Sequence, residues 1–543
     1  MKHASKRLMS VFTLLVVFVM VIAGCSSNET GSESTEIKPS KSAMKEYGVG
    51  DTFKAGEEFE LPILYMDQPT YPYKKDWLLW DKIKETTNVT LKPTIVPLSD
   101  YSQKRSLLIS SGDAPLIIPK TYPGEESAFV SSGAILPISD YIDKMPHFKD
   151  KVEKWKLEDE LEGLRQNDGK FYLLPGLHEE VWPDYTLIVR ADIFEKHNIA
   201  IPKTWDELYA AMKKLKELYP DVTPFSDRFT FLSTLNIAAT GFGTKAGWGF
   251  GNGLKYDESK DEFVYAPTTN EYKEMLTYFN KLVSEGLLDK ESFTQEDDQA
   301  IQKFVTGKSF IINGNSQTVV LHRADMDKNL GKGNYSIAKI TVPGGPAGQL
   351  MSGSRLENGV MISAKAKESE NFEAILQFID WLYYSDEGQE FAKWGVEGTT
   401  YMKTDGVRKL VDDVNYNGLN PAGTKDLRVD YGFSGGVFAY GGTTELLHSM
   451  FSEEEIKFQE DMAKTKTTIP AEPPIPYTVE DREQVTLLST PLKDYTDQNT
   501  LKFILGERDL SEFDAFVKEL EGQGLQQYLD VANKTYQEYK KSK

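Results

Sequence analysis

DGKFYLLPG (Asp168–Gly176) and TLIVRADIFEKHNIAIPKTWDEL (Thr186–Leu208) decide the fold between them. Thr186–Arg190 is short, β-branched and apolar, which predicts a strand. Trp205–Leu218 has the apolar spacing of an amphipathic helix, with Thr204 as N-cap and Glu207 at the capping-box position. Outward from this strand and helix the same alternation recurs. Strands are predicted at Phe59–Tyr65, Thr90–Val96, Pro115–Ile118, Ser309–Asn313, Tyr335–Ile340 and Gly359–Ser363. Helices are predicted at Asp76–Thr86, Tyr101–Ser111, Glu271–Glu285 and Asn371–Tyr384. The pattern is that of an α/β protein with mainly parallel sheets. Beyond Gly395 it fades into Gly- and Pro-rich stretches, Asn415–Gly442 and Ile469–Pro476, before two terminal helices, Asp509–Leu520 and Gln526–Tyr539, set apart by Gly522 and Gly524.

The N-terminus has a different logic. Lys2, Lys6 and Arg7 precede an apolar run from Val11 to Ile22, too short to span a bilayer, so residues 1–24 read as a secretory signal peptide. The run ends in Ile22-Ala23-Gly24-Cys25, and Cys25 is the only cysteine. Small residues before a cysteine resemble the bacterial lipobox, which implies a diacylglyceryl group on Cys25 and a membrane-anchored lipoprotein. No disulfide can form within the chain. Residues 25–56, polar at first, are expected to be a disordered tether.

The remaining chain exceeds what one hydrophobic core organises, so two lobes are expected; 40% hydrophobic and 12% aromatic residues suffice for both cores. The net charge of −21 argues against nucleic acid, which needs concentrated Lys and Arg. The Lys-rich stretches Lys149–Lys156 and Lys213–Lys216 are interleaved with Glu or apolar residues and read as solvated helix faces.

Several segments resemble the extracellular solute-binding proteins of carbohydrate ABC importers, in the lipoprotein branch of Gram-positive bacteria. They are KETTNVTLKPTIV (Lys84–Val96), GAILPISDYID (Gly133–Asp143), the Asp168–Leu208 stretch, VTGKSFIINGN (Val305–Asn315) and Asn358–Gly398. The resemblance implies a type II periplasmic-binding-protein-like fold, two α/β lobes joined by hinges around a ligand cleft. Lobe one is placed at 57–180 and 361–440, lobe two at 181–360 and 441–543. The partners implied are an oligosaccharide or related sugar and ABC permease subunits driven by a cytosolic ATPase, the binding protein acting as a monomer. Some relatives carry an Asp/Asn-rich calcium loop after the helix matching Trp205–Leu218. Here Tyr219–Asp227 has too few oxygen ligands, so no metal and no cofactor is expected.

Enzyme motifs are weak. Gly432-Phe433-Ser434-Gly435-Gly436 satisfies G-x-S-x-G, but the next residues, Val437-Phe438-Ala439-Tyr440-Gly441-Gly442, make a poor helix for a nucleophile elbow. Gly241, Gly243 and Ala246 fit G-x-G-x-x-A without a dinucleotide fold after them, and the six histidines lack metal-ligand spacing. No catalytic residue is nominated, although a surface glycoside hydrolase and an oligopeptide-binding protein remain the alternatives. Open α/β sheets bind ligands beyond the carboxyl ends of strands. The residues there are Asp67, Tyr71 and Tyr73 after the first strand, Lys120 and Tyr122 after the third, and Asn315 after Ser309–Asn313. Trp182 in the hinge and Trp248 in the Gly-rich Gly247–Gly253 segment add stacking surfaces for sugar C–H faces, with Phe250 expected behind Trp248. Arg355 and Glu397 flank the return crossing, as ligand contacts or as hinge ion pairs.

Overall fold

The computed structural model describes residues 39–543, so the signal peptide and Cys25 lie outside the described residues. The first lobe is built on a five-stranded sheet formed by β1 (Phe59–Asp67), β2 (Val89–Pro97), β3 (Ile117–Thr121), β4 (Leu174–Leu177) and β8 (Leu356–Ile362), in the order β2-β1-β3-β8-β4. The second lobe holds β5 (Thr186–Val189) between β6 (Ile311–Gly314) and β7 (Ala338–Lys339). Phe225 extends this sheet through parallel bridges to Ile311 and Leu288.

The expectation of mainly parallel sheets needs correction. β1 runs parallel to β2 and β3, but β8 is antiparallel to both neighbours, and β5 is antiparallel to β6 and β7. The reversed strands are the ones that enter a sheet directly from the other lobe. A chain arriving across the hinge runs opposite to strands delivered by local βα crossovers, which must be parallel. Several predicted strands also shift: the third starts at Ile117, Ser309–Asn313 begins at Ile311, Gly359–Ser363 begins at Leu356, and Tyr335–Ile340 shortens to Ala338–Lys339. The predicted helix at Trp205–Leu218 forms over those residues, with the Thr204 hydroxyl accepting from Glu207 N.

Two cores divide the chain. One gathers residues from Phe53 to Leu177 and from Val360 to Met450; the other gathers Leu187 to Met351 and Phe458 to Tyr536. The crossings therefore lie between Leu177 and Leu187, Met351 and Val360, and Met450 and Phe458. Gly359 lets β8 approach β4, since a Cβ there would stand 1.9 Å from the Leu174 carbonyl oxygen. In the second lobe Leu187 and Val189 face one core while Ile188 and Ile312 face a smaller cluster with Phe304 and Met326, the period-two signature of a strand covered on both sides.

Residues 42–55, expected to belong to the disordered tether, are docked on the first lobe. Phe53 and Ala55 are buried in its core, and Tyr47 donates to Asp380 at 3.1 Å. The cause is apolar anchoring that the polar composition upstream obscures.

Candidate functional site

The cleft between the lobes is shaped from the first lobe by loops leaving β1 and β3 and by the irregular segment before residue 442. After β1 the chain turns back, with Asp67 Oδ1 accepting from Tyr73 N at 2.7 Å. This turn directs Tyr71 into the cleft, where its hydroxyl accepts from Gly436 N at 3.4 Å and the Arg428 guanidinium sits 5.1 Å from its ring centre. At the end of β3, Lys120 takes a left-handed φ of +55°, a strained state for a residue with a Cβ. Neighbours hold it there: its N–H donates to the Tyr440 hydroxyl at 2.9 Å, and its carbonyl accepts from Arg105, which is ion-paired with Glu125. Its ammonium lies 5.5 Å from the Tyr440 ring centre. A Cβ on Gly436 would come within 3.2 Å of the Lys120 Nζ, so a glycine keeps this corner open.

The hinge supplies Trp182 and Asp184. Trp182 lies between His178 and Phe451, with ring centres 5.7 and 5.6 Å away. Asn315 caps the helix Ser316–Asn329 through Thr318 N and donates from Nδ2 to Asp184 at 3.2 Å. These groups, with Glu357, Lys393 and Tyr416, enclose a cavity of about 280 Å³. Trp182 and Asp184 also line an adjoining recess of about 150 Å³, whose other walls include Tyr185, Ser233, Asn236 and Trp248. Trp248 is 47% exposed. Its backing is Tyr185 and Phe229, at 5.2 and 4.9 Å between ring centres, whereas Phe250 is buried against Tyr265. This corrects the expected support by Phe250: the glycines that turn the chain direct Phe250 into the lobe and Trp248 out of it. Phe229, Thr230 and Phe231 all have positive φ, a strained turn that presents the Phe229 ring.

The electrostatics of the cleft are uneven. Burial raises the Asp184 carboxyl to about 6 against the opposing pull of Lys339 and Asn315. Burial also pushes Glu357 up, but the hydrogen bonds from His178 and Asn358 and the charge of Lys120 outweigh it, leaving it near 2. Burial depresses the Lys393 ammonium to about 7 and lowers Lys120 as well, with Glu357 offsetting part of each shift. Asn358 Oδ1, Trp182 Nε1 and Arg428 Nε are buried without a protein partner, which is costly unless something else satisfies them.

Of the residues nominated from sequence, Tyr71, Lys120 and Trp182 line the main cavity, Trp248 lines the recess, and Asn315 reaches its edge through Asp184. Tyr122 is 52% exposed, just beyond Lys120. Asp67 serves its turn, and Tyr73 packs into an aromatic cluster with Tyr65, Trp77 and Trp80. Arg355 is clasped by Glu160 and the carbonyls of Trp155 and Lys156 at the hinge. Glu397 is exposed in a shallow surface depression with Lys82, Glu85 and Lys403, none of which lines the cleft. His178, Asp184, Glu357, Lys393, Arg428, Tyr416 and Tyr440 were not nominated. The signal that could have found the last three is the aromatic, Gly-rich stretch Asn415–Gly442, irregular because its side chains serve a cavity wall.

Two segments read for chemistry adopt other local structures. Ser434 lines the main cavity but has φ +57° within a run of turns, with its N–H bonded to the Ala392 carbonyl, and is no strand-to-helix elbow. Asp227 accepts from Asn313 N at 2.8 Å and from the Thr234 hydroxyl at 2.6 Å, anchoring a turn inside the second lobe. Among the described residues no group of three or more His, Cys, Asp or Glu side chains could hold a metal ion.

Two lobes, reversed strands at the crossings and a cleft at the hinge define a solute-binding protein of the type II architecture. Residues 70–390 match the bacterial extracellular solute-binding protein family, and the chain belongs to it. It is similar to the fructooligosaccharide ABC transporter substrate-binding protein FusA of Streptococcus pneumoniae, 25% identical with 98% of each chain covered. It is also similar to the polygalacturonan/rhamnogalacturonan-binding protein YtcQ of Bacillus subtilis, 25% identical over 97% of this chain and 99% of that one. Among solved structures, the alginate-binding protein AlgQ2 superposes with a TM-score of 0.70 at 19% identity, covering 90% of this chain and 99% of the other.

Proposed function

We propose that this chain captures an oligosaccharide or related sugar by closing its two lobes and hands it to the permease subunits of an ABC importer, without covalent chemistry on the ligand. The carrying observation is the cleft lining, in which the half-buried Tyr71 and Trp182 offer ring surfaces beside Asn358, Asp184 and Glu357. Sugars need that combination, since their C–H faces stack on rings while their hydroxyls pair with amides and carboxylates. Lobe closure adds contacts from the second lobe, including Trp248, and removes the ligand from water. Lys120, Tyr71, Trp182, Trp248 and Asn315 are the ligand contacts we favour from the sequence reading. Arg355 and Glu397 serve the hinge and the surface in this reading.

The anchor is a lipid on Cys25 after removal of residues 1–24, which holds a monomer on the extracytoplasmic face of the membrane. The reading is preferred to an oligopeptide-binding protein because the cavity lining joins aromatic rings to amide and carboxylate side chains, as sugar rings and hydroxyls require. It is preferred to a surface glycoside hydrolase because Ser434 lacks an elbow and because the two cavity carboxylates are committed to protein partners, Asp184 to Asn315 and Glu357 to His178 and Asn358. Incubating the purified protein with labelled oligosaccharides tests it: the ligand should be retained unchanged and should raise the melting temperature, whereas shortened products would identify a hydrolase. Ligand at a hundredfold excess over Kd stabilises by about 2.7 kcal/mol, so a thermal screen has the needed sensitivity.

A further inference from the structure

The main cavity concentrates positive charge in a protein whose net charge is −21. Lys120, Lys393 and Arg428 all line it. Several buried cations elsewhere are matched by carboxylates, Lys339 with Glu455, Arg190 with Asp192, and Arg408 with both Glu390 and Glu445, although Lys466 meets only Gln349. The cleft cations have only neutral partners. Lys393 donates to the Ala439 carbonyl at 2.7 Å, Arg428 to Asn417 at 3.1 Å and Gln317 at 3.4 Å, and the Lys120 ammonium lies against the Tyr440 ring. Lys393 is only 4% exposed, and the Arg428 Nε is buried without a partner.

The carboxylates facing them balance them only in part: Glu357 offsets some of the burial penalty of Lys120 and Lys393. Glu357 is committed to His178 at 3.2 Å and Asn358 at 2.6 Å. Asp184 is bonded to Asn315 on the hinge side and faces Lys339 of the second lobe. Two lysines shifted by burial and a half-buried arginine against these two carboxylates leave the cavity with an excess of positive charge. Keeping a cation unpaired in a dry place is unfavourable, and an arriving carboxylate makes it favourable through charge-assisted hydrogen bonds, which are shorter and stronger than neutral ones.

We propose that the cargo is an acidic oligosaccharide, one built of or carrying uronate residues, whose carboxylates are held by Lys120, Lys393 and Arg428 while the rings of Tyr71 and Trp182 take its C–H faces. This rests on the oligosaccharide reading above and narrows it. Lys120 and Lys393 act as point charges in the cavity wall. Arg428, whose guanidinium lies 5.1 and 5.2 Å from the ring centres of Tyr71 and Tyr416, presents a flat, oriented donor fork toward the second lobe.

The test is calorimetric titration of the purified protein with two series of tri- to pentasaccharides, from pectin and from alginate, each as the free acid and as its fully methyl-esterified form, alongside neutral fructo- and xylo-oligosaccharides. Esterification keeps shape and removes charge. At least one uronate should bind a hundredfold or more tighter than its own ester, and its affinity should fall as salt rises. Lys393→Gln and Lys120→Met should each cut that affinity tenfold or more while leaving ester binding unchanged and the ligand-free melt no lower than the parent's. A merely structural role would lower the melt and move both ligands equally. If neutral sugars or esters bind as tightly as any acid, the acidic-cargo proposal is overturned and sugar capture stands. If no oligosaccharide of either kind binds, the capture reading itself fails.

Discussion

Trp248 meets Tyr185 edge-on, their ring centres 5.2 Å apart and their planes at 81°, and both line the recess beside Trp182. Edge contact leaves one indole face open toward the cleft. Trp248→Ala should therefore weaken oligosaccharide binding by roughly 1–3 kcal/mol, the scale of aromatic stacking on flat ligands. The melting temperature of the ligand-free protein should hardly move, because the ring is half exposed. Titration and melting on the same variant decide between a platform and a plug, and a lowered melt with full affinity would rule out the platform.

Lys393 should cost the empty protein stability. Its folded value is pushed down to about 7 by burial, from an ordinary 10.5. Between those two values the unfolded chain binds more protons than the folded one, so stability rises with pH across that window, and the full penalty is present below its lower edge. Lys393→Met removes the penalty, worth about 3 kcal/mol or more before the lost hydrogen bond to Ala439 is counted. The substitution should raise the melting temperature at pH 6, and the gain should shrink by pH 9 to 10. A variant less stable than the parent at pH 6 would contradict the burial of a charged Lys393.

Asp380 is the polar centre of the first lobe. Fully buried, it accepts from His147 N at 3.1 Å and Phe148 N at 2.8 Å at the start of the helix Pro146–Trp155, and from the Tyr47 hydroxyl at 3.1 Å. Asp380→Ala strands those donors in the interior and should destabilise by roughly 3 kcal/mol. Denaturant titration should show a lower midpoint, with the segment around Tyr47 gaining protease sensitivity. An unchanged midpoint would mean that residues 42–55 are not held through this carboxylate.

Cys25→Ala should release the protein from the membrane and leave its melting unchanged, because the core begins at Phe53 and receives nothing from the lipid. Two acyl chains hold a protein stably where one gives marginal binding. Fractionation of cells making the variant is the measurement, and a processed mutant that stays with the membrane would remove the lipoprotein reading.

The sequence alone located many of the strands and helices and pointed to two lobes, because periodicity, β-branched runs and caps such as Thr204 with Glu207 act within a few residues of one another, but it set no bounds for helices such as Ser316–Asn329 and Val479–Leu505. It also marked the positions after strands from which Tyr71 and Lys120 reach the cleft, since a strand end fixes which side of a sheet the next loop must serve. It could not determine strand direction at β5 and β8, which is set by the chain crossing between lobes rather than by any local pattern. Nor could it show that Phe53 is buried, that Tyr73 turns inward while Tyr71 turns out, or that Lys120, Lys393, Arg428 and Glu357 share one cavity. Those depend on contacts between residues hundreds of positions apart, and whether a charge is paired or left waiting is settled only when tertiary structure decides which groups lose their water together.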